Sequence, residues 1–184
     1  AWGLGDAPIN SLVEMVEDKG GFVVEYPEPG IQFDGLSGRA NGRPVVVVNN
    51  ETSVDRYRHN VAHELGHLMI SCSDLPSKEQ EGLAHRFAAA LLVPAEVARR
   101  ELGEKRRHLS MDELGVLKRK FGLSMQAWAR RAKDLDIISE NVYKSLCIDF
   151  SSRGWRQREP VDYSGHEKPN RLVQMALRAL AEGI

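Results

Sequence analysis

The chain has 184 residues, enough for one compact domain or a small core domain with an appendage. Its 25 basic and 26 acidic side chains nearly cancel to −1, which excludes a whole-chain field for nucleic acid or an anionic membrane. Hydrophobic residues make up 42%, sufficient for a packed core, yet no apolar run approaches the ~20 residues that span a bilayer.

The opening AWGLGDAPIN has neither the basic start nor the apolar stretch of a secretory leader. It also lacks an initiator methionine, so a processed chain or a piece of a longer one is expected. Pro8 to Lys19 reads as a first helix, with Leu12, Val13 and Val16 on one face and Gly20-Gly21 as its stop. FVVEY (22–26) reads as a strand ended by Pro27 and Pro29. Residues 31–49 read as a hairpin turning at Asn41-Gly42, and the run of four valines predicts a returning strand buried on both faces.

Thr52 or Ser53 then caps a helix reaching about Ile70, with Asp55 placed for a capping box from Thr52. Ser77 with Gln80 marks the next start, and Pro94 the next break. The basic stretch 99–107 reads as a helix end or linker. Helices follow near 111–121, 124–134 and 139–150, with Gly122-Leu123-Ser124 as a turn, so this part is helical and possesses a helix-turn-helix-like pattern. Its basic residues, Lys118, Arg119, Lys120, Arg130, Arg131 and Lys133, leave two readings: a DNA-contacting face, or a solvated face on a helical buttress. Trp128, Met125 and Met175 fit core packing. A polar loop precedes a last amphipathic helix over about 170–182. The expected division is a core over 1–105 and a helical region over 106–184.

Two cysteines, Cys72 and Cys147, lie far apart and in no CxxC pattern, so the chain reads as a cytoplasmic protein with reduced thiols. Cys72, just after the motif below, is a buried thiol or a redox-sensitive one.

Residues 63–67 are His-Glu-Leu-Gly-His. On a helix, positions i and i+4 share a face, so His63 and His67 can reach one zinc ion at ~2.0–2.1 Å each. Glu64 sits about 100° round the helix, where it can flank the metal without binding it and act as the catalytic base. Gly66 costs roughly 1 kcal/mol relative to Ala in mid-helix. It points either to substrate approach or to a tight helix–strand contact. Catalytic zinc usually takes three protein ligands, and no further histidine follows at the spacing of the longer zinc motifs. The third is therefore expected from a carboxylate on the following helix: Asp74, Glu79 or Glu81. Glu81 is favoured, because Ala84 and Ala88 on its face let that helix approach closely. His85, one turn on, is a ligand-supporting or structural residue, and His59 a structural one. Tyr57, Tyr163, His85 and His166 are the candidates for the donor to the developing oxyanion.

DRYRHNVAHELGHLMI (55–70) followed by EGLAHRFAAALLVP (81–94) resembles the ImmA/IrrE family of metallopeptidases. That family pairs an R-x-x-x-A-HELGH helix with an E-x-x-A-x-x-FA-x-x-LL-x-P helix. The opening and the tail resemble the variant associated with Xre-type helix-turn-helix regulators. The resemblance implies an α+β, zincin-like minimal core holding one Zn2+ through His63, His67 and Glu81, followed by an all-helical region. It also implies an endopeptidase that cleaves a helix-turn-helix repressor and so relieves repression, in stress responses, mobile elements or toxin–antitoxin-like pairs. Many members carry a further histidine soon after HELGH, where this chain has Ser71-Cys72-Ser73. The rival reading is a DNA- or repressor-binding module whose zinc site is latent.

Overall fold

The computed structural model of the protein describes residues 5–27, 33–70 and 74–183. The start of the hairpin reading at Ile31-Gln32 and the expectations for Ser71-Cys72-Ser73, the Cys72 thiol included, lie outside the described residues. Among those residues are a three-stranded sheet and eight helices, an α+β arrangement.

The first helix, α1 (Leu12–Asp18), is shorter than its sequence suggests. It starts after Ser11, whose hydroxyl accepts from the Glu14 N–H, and Pro8 stays outside it. Strand β1 (Phe22–Glu25) runs parallel to β3 (Arg43–Val48), which is central, and β2 (Gly35–Ala40) pairs antiparallel on its other side. Asn41 and Gly42 both take positive φ, 50° and 78°, the type I′ geometry that a two-residue hairpin requires. The four valines do not bury both faces equally. Val46 and Val48 are fully buried, while Val45 and Val47 are half covered, because the pleat turns alternate residues to opposite faces.

Helix α2 (Val54–Met69) lies on β2 and β3, and α3 (Ser77–Leu92) packs along it. Neither start is capped as its sequence suggests. Ser53 is the N-cap of α2 but makes no side-chain capping bond, and Asp55 pairs with Lys118 instead of closing a capping box. Pro76 precedes α3, and the Gln80 side-chain amide donates back to the Leu75 carbonyl at 2.7 Å.

Past Pro94 the chain forms α4 (Ala95–Leu102), α5 (Met111–Phe121), α6 (Met125–Asp134), α7 (Glu140–Ser152) and α8 (Arg171–Glu182). Gly122, at φ 65°, ends α5, and Ser110, Ser124 and Ser139 cap the helices that follow them. One contiguous apolar core runs from Leu12 and Val46 through Val61 and Leu65 to Trp128, Ile137 and Phe150. Met125 and Trp128 are part of it. Met175 is not: it is 47% exposed on α8, none of whose residues is buried.

The polar stretch before α8 has no regular structure, but its carboxylates tie it to helix starts. Glu159 accepts from the backbone N–H groups of Met125 and Gln126 at 2.9 and 3.0 Å, and from Lys118 at 2.9 Å. Glu167 accepts from those of Leu12 and Val13 at 3.0 and 2.9 Å, and pairs with the fully buried Arg58. Each carboxylate thereby meets the positive end of a helix dipole.

Most of the basic residues of the helical region are occupied. Lys118 is buried between Asp55 and Glu159, Lys120 pairs with Glu101, Arg130 with Asp134, Lys133 with Glu140, and Arg131 donates to the Val93 carbonyl.

Candidate metal centre

Helices α2 and α3 run antiparallel, so residues descending α2 meet residues ascending α3. His67 and His63 face Glu81, and His59 faces His85. The two helices meet closely at Gly66. A Cβ there would stand 3.0 Å from the Ala84 Cα and 3.2 Å from its carbonyl oxygen. Gly66 therefore serves neither a helix–strand contact nor open space for substrate; it lets two helix backbones meet.

This approach brings three electron-pair donors to one point. His63 Nε2 and His67 Nε2 are 3.1 Å apart, and the Glu81 carboxylate lies 3.1 Å from the first and 3.3 Å from the second. Four ligands at ~2.0–2.1 Å in a tetrahedron stand about 3.3 Å from one another. The three donors match one face of such a tetrahedron, so the residues present fit a zinc-sized ion with one vertex left over. Among the described residues, they form a group able to hold a metal, and neither Asp74 nor Glu79 belongs to it.

The electrostatics agree. Burial, and then the neighbouring His85 and His67 rings, lower the pKa of His63 to about 4, with Glu81 opposing. A neutral imidazole at ordinary pH keeps its lone pair for an ion. One cost is visible: His63 Nδ1 is buried with no partner among the described residues, where a ligating histidine usually donates its second N–H.

Glu64 lies beside the three donors in a cleft of about 370 Å³ also lined by Asp34, Gly35, Asn60 and His85. Burial raises its pKa above the usual carboxylate value, opposed by a hydrogen bond with Ser37 and by His67. Gly35 is what admits it: a Cβ at Gly35 would be 3.1 Å from Glu64 Cγ and 3.2 Å from Oε1.

A family model described as the IrrE N-terminal-like domain, of the M78 peptidases, matches residues 20–133. The chain belongs to this peptidase family. No curated protein matches it. The region matched to the M78 model runs from just before β1 to near the end of α6 and so includes the whole cluster. The segment carrying Glu159 and Glu167, which holds Lys118 and Arg58, lies outside it.

The remaining candidates separate cleanly in this M78-family chain. His85 lines the cleft, its ring 4.3 Å from that of His63. Tyr57 does not reach the cleft: it is buried in the core near Glu25 and Glu167, and burial followed by those charges raises its pKa. Tyr163 packs elsewhere, its ring under the Arg58 guanidinium at 5.2 Å and against Gly122. His166 is exposed beside Glu167 and does not line the cleft. Three cleft residues had no sequence motif: Asp34, Gly35 and Asn60. A glycine opening a strand was the one available hint, since it marks close approach of another group.

Proposed function

We propose that the protein is a zinc-dependent endopeptidase in which His63, His67 and Glu81 hold the ion and Glu64 is the catalytic base. The observation that carries this reading is the convergence of three donor atoms from adjacent helices beside a buried carboxylate.

A bound zinc would supply a Lewis acid, polarising the scissile carbonyl and lowering the pKa of water toward ~7. Glu64 takes the proton of the attacking water and returns it to the departing amine nitrogen. The raised pKa of Glu64 suits both steps: it makes the carboxylate a stronger base toward the water and lets it hold the proton until the amine takes it. Gly35 leaves the base room on the cleft wall, and Ser37 orients it.

The substrate is a cytoplasmic helix-turn-helix repressor of the Xre type, and its cleavage relieves repression. This assignment comes from the likeness of residues 55–94 to the ImmA/IrrE pattern. No helix among the described residues is long and apolar enough to cross a membrane. The pairing of most basic residues on α5 and α6 favours a helical buttress over a DNA-contacting face.

The test is to incubate the zinc-loaded protein with an Xre-type repressor from the same genome and read the products by mass spectrometry. A single new cleavage, absent with Glu64→Gln, is expected. An intact repressor under the protein's own inducing conditions would defeat the substrate assignment.

A further inference from the structure

Two histidines outside the metal-binding group form a pair of their own. His59 Nε2 lies 3.3 Å from His85 Nδ1, with the ring planes 14° apart and 5.6 Å between centroids, an end-to-end arrangement. His59 stands on α2 and His85 on α3, so the pair bridges the helices that carry the cleft.

A hydrogen bond between those two nitrogens takes one proton, and the surroundings decide whose it is. His59 Nδ1 is buried and has no partner among the described residues. A proton there would be a desolvated donor with no acceptor. The His59 proton is better placed on Nε2, where it donates to His85 Nδ1. His85 must then carry its own proton on Nε2, the nitrogen not engaged with His59. His85 lines the cleft. Asn60, which also lines the cleft, donates its side-chain amide to the carbonyl and carboxylate oxygens of Asp34, both at 3.4 Å.

We propose that His59 is a positioning residue that fixes the tautomer of His85, so that His85 presents its Nε2–H to the carbonyl oxygen of a peptide lying in the cleft. The donor role rests on the peptidase reading; the tautomer does not. The pair is thus a two-helix relay in which a half-buried ring sets the polarity of an exposed one, and the exposed ring stabilises negative charge as the carbonyl is attacked.

The test has two arms. Long-range nitrogen–proton NMR of the full chain, with and without zinc, reads the His85 tautomer. A protonated Nε2 and bare Nδ1 are expected; the reverse would overturn the proposal. In the second arm, His59→Leu should lower kcat roughly ten- to a hundredfold, with KM within about twofold and zinc content unchanged. His59→Gln, which can still donate to His85 Nδ1, should recover most of the loss. Wild-type kcat in His59→Leu, or a loss that tracks missing zinc, would overturn the positioning role. If His59→Leu does not fold, the wild-type spectrum and His59→Gln still decide. If the wild-type protein cleaves nothing, the donor role falls with the peptidase reading, and the NMR arm still decides the tautomer.

Discussion

Gly66 and Ala84 meet across α2 and α3 at a distance that leaves no room for a methyl group: a Cβ on Gly66 would stand 3.0 Å from the Ala84 Cα. The obstructing atoms are backbone, so they cannot rotate away. His63 and His67 lie within one turn of this contact on α2, and Glu81 within one turn on α3. Gly66→Ala is expected to push the helices apart and destabilise the metal-free protein by about 1–3 kcal/mol, as overpacking does. It should also weaken zinc binding, since Glu81 moves with α3. Thermal melting and a competitive zinc titration check the two effects, and unchanged zinc affinity would show that the close contact does not set the ligand spacing.

Glu81 is 51% exposed at its side chain, so replacing it disturbs little packing. Glu81→Gln is expected to lose zinc while the metal-free Tm stays within a few degrees of wild type. Glu79→Gln, on the other side of the same helical turn, should keep both zinc and activity. Metal analysis of the two purified variants separates the assignments; retention of a full equivalent by Glu81→Gln would shift the third ligand elsewhere.

Glu64→Gln keeps the shape of the side chain and removes its basicity. Zinc content should equal wild type, and kcat should fall roughly a hundredfold or more, the usual scale for a lost general base. Cleavage at the wild-type rate would assign the proton transfer to another group.

Acid should destabilise the metal-free fold through His59. Burial, then the His85 and His63 rings, lower its pKa from 6.5 to about 4. The unfolded chain therefore binds this proton first as the pH falls. The stability tied to the neutral ring is fully present above about 6.5 and is lost as the pH drops toward about 4. Urea melts of the zinc-free protein across that window should show the loss, and His59→Gln should make it shallower, leaving the share of His63 and His85. An unchanged slope in the variant would assign the acid sensitivity to other groups.

Lys118 holds Asp55 of α2 and Glu159 of the tail at 3.0 and 2.9 Å, with all three side chains buried. Lys118→Met leaves two desolvated carboxylates facing each other and should cost about 3–5 kcal/mol. Thermal melting checks this. Lys120→Met, which breaks the more exposed pair with Glu101, should cost under about 1 kcal/mol.

The sequence by itself determined the features whose physics is local. HELGH puts two imidazoles and a carboxylate on one helix at fixed angles, because the helix repeat leaves no other arrangement. Asn41-Gly42 fixes a type I′ turn through its two positive φ angles. The serines at 110, 124 and 139 stop and start helices through bonds spanning three residues. Tertiary structure decided what depends on groups distant in the chain. Asp55 gave up its expected cap for Lys118, because a buried ammonium needs a counter-charge more than an exposed helix start needs another acceptor. Tyr57, Tyr163 and His166 were drawn away from the cleft by burial or by the tail, while Gly35 entered it from a strand that carries no motif. The pairing of His59 with His85 belongs to the same class: 26 residues separate them, and only the antiparallel closure of α2 on α3 at Gly66 brings their rings together.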